Sequence, residues 1–294
     1  MTPMTDEVAS AREWLARIES AASRHETKGA GRRIVWRRFG EGPSLVLLHG
    51  GHGNWMHWVR NIESLSQRHT LWLPDMPSYG DSDDLDVDGR APDAMDRMVD
   101  AVAASMAEVL GPGATPVDLA GFSFGGFVAA RLAARGLVRR LALIGPAGHG
   151  GPRPPSAALV EWRTLPPSEQ PAALRHNVAT LMLHDPASID ALALVVYETQ
   201  LRTSRFISKA ISRTGGLQAA LAAHAGPALL VWGEHDITAV PHELAPRLAA
   251  GCRDAAWRVV EGAGHWAQYE RAEEVSSLLG QWLSGPATSA CASP

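Results

Sequence analysis

The pattern that most constrains the fold is an alternation of short apolar runs with segments of helical periodicity. The run 44–48 (SLVLL) ends in His49-Gly50-Gly51, and 93–110 repeats apolar residues at helical spacing. Apolar runs bounded by turn residues are typical of strands buried on both faces of a sheet. The alternation therefore predicts an α/β fold with a mostly parallel sheet and helices on both faces. Strands are predicted at 33–39, 44–48, 70–74, 117–120, 137–144, 228–232 and 256–260.

The alternation is interrupted once, in the middle of the chain. Residues 147–155 (AGHGGPRPP) show no regular pattern, and 157–225 show helical periodicity without a convincing strand. Typical domains of about 150 residues would divide the chain in two. We instead predict one α/β core, interrupted by a helical cap that acts as a lid. The predicted parts are a helical leader at 1–30, a core at 31–147 and 226–285, the cap at 148–225, and a frayed tail at 286–294.

Composition and charge argue against nucleic acid and membranes as binding partners. The formal net charge is −4, whereas nucleic-acid-binding proteins are more often basic. No run of about 18 apolar residues predicts a membrane span, and the N-terminus lacks a secretory pattern. The two cysteines, Cys252 and Cys291, cannot form a disulfide framework. We expect a cytoplasmic protein that acts on a small molecule and binds neither nucleic acid nor membrane. The sequence is compatible with a homodimer.

The strongest local motif is Gly121-Phe122-Ser123-Phe124-Gly125-Gly126, between an apolar run and a helix rich in small residues. A serine on so sharp a strand–turn–helix connection needs neighbours without a Cβ. The turn would present the Ser123 hydroxyl as a nucleophile. It would also leave the Phe124 N–H free at the start of the helix to bind an oxyanion. The alternative is a glycine-rich turn with an ordinary serine.

A second motif, His49-Gly50-Gly51-His52-Gly53, follows a predicted buried strand directly. A second oxyanion donor must come from a loop beside the serine turn, and we assign this role to the Gly51 N–H. The alternative is a flexible loop. The loop histidines lack a nearby cysteine or acidic ligand, so no metal is expected.

Two further loops supply the partners that a serine nucleophile requires. Asp236 lies in the loop after 228–232, and His265 lies between glycine and tryptophan after 256–260. A histidine accepts the serine proton near neutral pH, and a carboxylate orients that histidine. The chain order Ser123, Asp236, His265 fits the serine-turn pattern. Glu234 and Asp254 are the alternatives to Asp236.

Large apolar side chains cluster near these loops in the sequence. Four of the ten tryptophans lie in or beside the motifs or in the cap, which favours a bulky or aromatic apolar substrate. Trp58 is one of the four. The predicted pocket residues are His52, Trp55, Phe122, Trp162 and Trp266.

Residues 33–285 resemble the α/β-hydrolase superfamily in the order and spacing of these motifs. The segment Asp75-Met76-Pro77-Ser78-Tyr79-Gly80-Asp81-Ser82 resembles a loop of that superfamily, with Ser78 in place of a usual glycine. The resemblance implies an eight-stranded, mostly parallel sheet with a helical cap after the sixth strand. A serine nucleophile differs from the aspartate of the haloalkane dehalogenase and epoxide hydrolase branches.

The segment 264–270 (GHWAQYE) resembles the meta-cleavage product hydrolases, which split carbon–carbon bonds in ring-cleavage products. Two positions depart from that group. Phe122 stands where the group has asparagine, and Val196 or Tyr197 stands where the group has a carboxylate-binding arginine. Arg163, Arg175, Arg202 and Arg205 are candidate substitutes.

Three functions compete at this point. The leading prediction is a serine hydrolase without a cofactor that acts as a carboxylesterase. The first alternative is carbon–carbon hydrolysis of a 2-hydroxy-6-oxo-dienoate. The second is a non-catalytic receptor with the same fold, which is less favoured because no expected catalytic residue is missing.

Overall fold

A computed structural model describes the backbone of residues 3–285 and the side chains of residues 6–285. Its central feature is an eight-stranded sheet with the strand order β1-β2-β4-β3-β5-β6-β7-β8. The pairs β1–β2 and β2–β4 are antiparallel, and the other neighbouring pairs are parallel. The strands are β1 (Ser23–Thr27), β2 (Ile34–Phe39), β3 (Ser44–Leu48), β4 (Thr70–Pro74), β5 (Val117–Phe122), β6 (Val138–Ile144), β7 (Ala228–Gly233) and β8 (Ala255–Val260).

Helices cover both faces of the sheet, and the sheet separates two apolar clusters of buried side chains. One cluster includes Trp36 and Phe127, and the other includes Phe122 and Trp266. The helices are α1 (Pro3–Ser20), α2 (Ile62–Leu65), α3 (Ala94–Leu110), α4 (Ser123–Ala134), α5 (Gln170–Leu181), α6 (Ala191–Thr203), α7 (Lys209–Ser212), α8 (Leu217–Ala223), α9 (Pro241–Ala250), α10 (Ala267–Glu270) and α11 (Ala272–Ser284). These layers confirm the predicted α/β-hydrolase fold class.

The N-terminal region differs from the predicted helical leader. After α1, residues Ser23–Thr27 form β1, which pairs with β2 at the edge of the sheet. The sequence SRHET has no apolar alternation because most of this edge strand faces solvent. Helix α1 instead buries Ala11 and Leu15 and packs on α6.

The segment between β6 and β7, residues 145–227, is called the insert below. Helices α5 to α8 lie in it, and the part that precedes them has only a short 3-10 turn at Trp162–Thr164. The insert occupies the position predicted for the cap. The predicted tail, 286–294, lies outside the described residues.

Among the described residues, no helix is long and apolar enough to cross a membrane.

Candidate active site

The serine turn joins the carboxyl end of β5 to the start of α4. Ser123 has a φ of 51°, in the left-handed region that residues with a Cβ rarely adopt. A Cβ on Gly125 would come within 2.1 Å of the His49 carbonyl oxygen. The loop after β3 therefore packs directly against the first turn of α4, and only glycine permits that distance.

The three predicted catalytic side chains lie within hydrogen-bonding distance of one another. His265 Nε2 is 3.0 Å from Ser123 Oγ, and His265 Nδ1 is 2.8 Å from Asp236 Oδ2. Asp236 and His265 are buried, whereas Ser123 is partly exposed. These distances suit a serine, base and carboxylate relay.

Thr238 completes the surroundings of the aspartate, and the sequence analysis missed it. Its backbone N–H and its hydroxyl both donate to Asp236 Oδ1, at 2.7 and 2.8 Å. Burial favours the protonated carboxyl, but the charge of His265, its hydrogen bond and Thr238 together hold the Asp236 pKa below its usual value. The ionised carboxylate fixes the proton on His265 Nδ1, so Nε2 faces Ser123 as an acceptor.

The alternatives to Asp236 make other contacts. Glu234 Oε2 accepts the Gly262 N–H at 2.9 Å, and the backbone oxygen of Asp254 accepts the Ala228 N–H. Among the described residues, the carboxylate that pairs with His265 is that of Asp236.

The two predicted oxyanion donors lie side by side. A Cβ on Gly51 would be 3.7 Å from the Phe124 Cβ. Within the described part of the chain, no protein acceptor is recorded for the Gly51 or Phe124 N–H. The Phe124 N–H is one of the free donors at the start of α4, where the helix dipole favours negative charge. Both donors are therefore available to a ligand.

Two buried histidines shape the loop that carries Gly51. His49 Nε2 accepts the Met76 N–H at 2.9 Å, so its Nδ1–H donates to the Gly50 oxygen. His57 Nδ1 accepts the Gly50 N–H at 3.1 Å. Burial lowers the pKa of His49 to about 4 and the pKa of His57 well below its usual value. Their contacts are structural, and the described residues contain no cluster suited to a metal ion.

Of the predicted pocket residues, Phe122 lies closest to the relay. Its ring is 4.9 Å from the His265 ring and meets His57 edge-on at 5.0 Å. His52 is exposed, with a φ of 56°. Partial desolvation and the positive charges of Arg163 and Lys209 lower the His52 pKa.

The three predicted pocket tryptophans make other ring contacts. Trp55 packs near Phe39 and under Arg37. Trp266 is fully buried, stacks on Tyr269 and donates its indole N–H to the His57 oxygen at 2.8 Å. Trp162 is buried in the insert between the guanidinium groups of Arg163 and Arg202. None of these contacts involves Ser123 or His265, so their role as a pocket lining stays a prediction.

The four candidate carboxylate-binding arginines have protein partners. Arg163 donates to the Leu201 oxygen, and Arg175 donates to the Ile189 oxygen. Arg202 pairs with Glu198 in the same helix, and Arg205 pairs with Asp84.

Comparison with known proteins shows the family to which the chain belongs. Residues 45–278 match the family described as the alpha/beta hydrolase family. This match covers most of the chain, and the chain belongs to that family. It is an enzyme of the α/β-fold hydrolase class.

Similar proteins include carbon–carbon bond hydrolases and an esterase. The chain is 27% identical to a 2-hydroxy-6-oxononadienedioate/2-hydroxy-6-oxononatrienedioate hydrolase of Paraburkholderia phymatum, over 85% of this chain and 91% of that protein. A meta-cleavage product hydrolase from Pseudomonas fluorescens IP01 superposes with a TM-score of 0.69 at 22% identity, covering 88% and 97% of the two chains. An esterase from Rhodococcus sp. ECU1013 superposes with a TM-score of 0.71 at 23% identity, covering 90% and 99%.

Proposed function

We propose that the protein is a serine hydrolase that cleaves carboxylic esters with an apolar or aromatic group. The observation that supports this most is the chain of hydrogen bonds from Ser123 Oγ through His265 to Asp236. The free N–H groups of Gly51 and Phe124 beside it supply the complementary half of an acyl-transfer site.

The first half of the reaction forms an acyl-enzyme. His265 Nε2 takes the Ser123 proton as Oγ bonds to the ester carbonyl carbon. The carbonyl electron pair moves onto oxygen, where the Gly51 and Phe124 N–H groups stabilise it by about 3–4 kcal/mol per donor. The intermediate collapses when the C–O bond to the alcohol breaks and His265 gives its proton to the leaving oxygen.

The second half restores the enzyme. Water loses a proton to His265 Nε2 and attacks the acyl carbon, and the electron pair again rests in the oxyanion hole. The bond to Ser123 Oγ then breaks, Oγ recovers its proton from His265, and the carboxylic acid leaves. Asp236 stabilises the positive charge on His265 in both halves.

An apolar substrate is supported by the side chain next to the nucleophile. The ring of Phe122 packs against His265, at the position where the meta-cleavage product hydrolases have a polar asparagine. The candidate arginines are paired within the protein. We propose that the insert acts as the cap, and that it excludes water from an apolar acyl or aryl group.

Hydrolysis of p-nitrophenyl esters tests the proposal, with chains from acetate to octanoate and an aryl ester. We expect turnover by the wild type and a fall of at least about 10³-fold in kcat for Ser123→Ala. The exposed Ser64→Ala serves as the matched control and should retain the wild-type rate. Equal rates for wild type and Ser123→Ala would rule out the assigned nucleophile.

Carbon–carbon hydrolysis is the second candidate, favoured by the segment 264–270 and by the names of the relatives. Loss of the visible absorbance of a 2-hydroxy-6-oxo-dienoate tests it. Rapid decay that Ser123→Ala abolishes, with slow ester turnover, would replace the ester proposal. Absence of both reactions, together with a Ser123 that does not react with an organophosphonate, would instead indicate a non-catalytic receptor.

A further inference from the structure

The carboxylate of Glu270 is buried where the insert meets the loop that carries His265. Glu270 ends the short helix α10 and is 7% exposed. Its oxygens accept the backbone N–H groups of Gly264 at 2.6 Å, Asp185 at 2.6 Å and His184 at 3.0 Å. Among the described residues, no cationic side chain pairs with Glu270, so backbone donors satisfy its charge.

These hydrogen bonds hold both neighbours of the proposed catalytic base. Gly264 precedes His265 and binds Glu270, whereas Trp266 follows it and donates its N–H to the Met182 oxygen at 2.7 Å. A Cβ on Gly264 would lie 2.8 Å from the His184 nitrogen. The peptide segments on either side of His265 are therefore fixed against the insert turn, residues 182–185.

We propose that Glu270 is a positioning residue that couples the insert turn to the catalytic base, so that His265 reaches Ser123 only while the turn is docked. The inference rests on the proposed serine-hydrolase function. Hydrogen bonds to a charged acceptor are short and strong, and Glu270 makes them to both partners at once. Movement of His265 by about 1 Å is enough to reduce the rate about 100-fold.

The substitution Glu270→Gln tests this coupling. An amide keeps one acceptor oxygen, but its NH₂ group faces N–H donors and cannot replace the second oxygen. We expect kcat for the ester to fall between about 10-fold and 100-fold, with KM changed less than about 3-fold. Glu270→Asp keeps the charge on a shorter side chain and should recover part of the loss.

Asp118→Asn is the matched control for the loss of a buried carboxylate. Asp118 is 2% exposed, and both oxygens of its carboxylate pair with Arg139, away from the His265 loop. We expect it to reduce stability while leaving kcat close to the wild-type value. An equal fall of kcat in Asp118→Asn and Glu270→Gln would show a general loss of stability and overturn the proposal.

Two measurements do not depend on turnover. The low-field region of the proton NMR spectrum contains the resonance of the His265 Nδ1–H that bonds Asp236. Hydrogen exchange measures the protection of the N–H groups of His184 and Asp185. In Glu270→Gln the low-field resonance should shift or broaden and exchange should accelerate at the insert turn. If both stay as in the wild type, Glu270 does not position His265. If the wild type shows no ester turnover, the proposed function fails, while these two measurements still decide the coupling.

Discussion

Burial and neighbouring hydrogen-bond donors determine the protonation state and orientation of the side chains in this site. Ser123, His265 and Asp236 are joined by hydrogen bonds, and Thr238 donates twice to the other oxygen of the carboxylate. His49 and His57 are close by, but burial lowers the pKa of each. Both are therefore neutral at neutral pH, which keeps further positive charge away from His265.

The lowered pKa of His49 predicts a pH dependence of stability. The unfolded chain binds a proton at about pH 6.5, but the folded chain binds it only at about pH 4, so stability falls as the pH drops through this window. His49→Gln should reduce the loss of unfolding free energy between about pH 7.5 and pH 5 by about 2 kcal/mol. Urea denaturation at both pH values measures this, with the exposed His176→Gln as control. An unchanged pH dependence in His49→Gln would contradict the assignment.

At the scale of elements, the strand β5, the serine turn and helix α4 form one unit. Helix α4 packs on β5, β6 and α8, and its small residues allow close approach. The loop after β3 lies against the same helix at Gly125, so the two proposed oxyanion donors come from adjacent elements. The packing of α4 on β3 and β5 therefore determines the spacing between Gly51 and Phe124.

Two glycine-to-alanine substitutions separate helix packing from helix propensity. Gly125→Ala would place a Cβ 2.1 Å from the His49 oxygen, so we expect a loss of stability of about 2–4 kcal/mol and nearly complete loss of ester turnover. Gly280→Ala, in the interior of α11 with no atom within 4 Å of the added Cβ, should stabilise by about 0.5–1 kcal/mol. Denaturation and rate measurements on both variants test this contrast. Normal activity in Gly125→Ala would contradict the required close approach.

At the scale of the whole molecule, Arg37 connects the sheet to the N-terminal helix. Its buried guanidinium bonds Asp75 at 3.0 Å, Glu19 of α1 at 2.6 Å and Asp81 at 2.7 Å. Asp75 in turn accepts the Trp55 N–H at 3.0 Å. Because α1 also packs on α6, this cluster links the antiparallel edge of the sheet to the insert.

Removal of Arg37 should destabilise the whole fold. Arg37→Met leaves Asp75, which is 1% exposed, as a buried charge without its guanidinium partner. We expect a loss of about 3–5 kcal/mol of unfolding free energy by denaturant titration. The neighbouring Arg38→Met is the matched control and should cost less than about 1 kcal/mol, because Arg38 is partly exposed and stacks on Trp72. Similar losses in the two variants would show that the ion-pair cluster contributes no more to the unfolding free energy than the Arg38 contact does.

The sequence predicted the buried strands well because each is an apolar run that needs no partner to be recognised. The edge strand β1 is not predicted from the sequence, because its side chains are mostly exposed and polar. The pocket tryptophans are predicted only from their nearness to motifs along the chain. Trp55 and Trp266 turn towards Arg37 and Tyr269, since a side chain's direction depends on packing between elements.

The sequence alone determined the alternating α/β plan and the chain order of serine, aspartate and histidine. Local patterns suffice for these features, because strand burial and the glycine turn depend on residues that are adjacent in the sequence. Only the tertiary structure selected Asp236 rather than Glu234 as the partner of His265 and brought Glu270 to the insert turn. Those contacts join segments from different strands, and their geometry exists only when the sheet aligns the carboxyl ends of its strands and the insert packs over them.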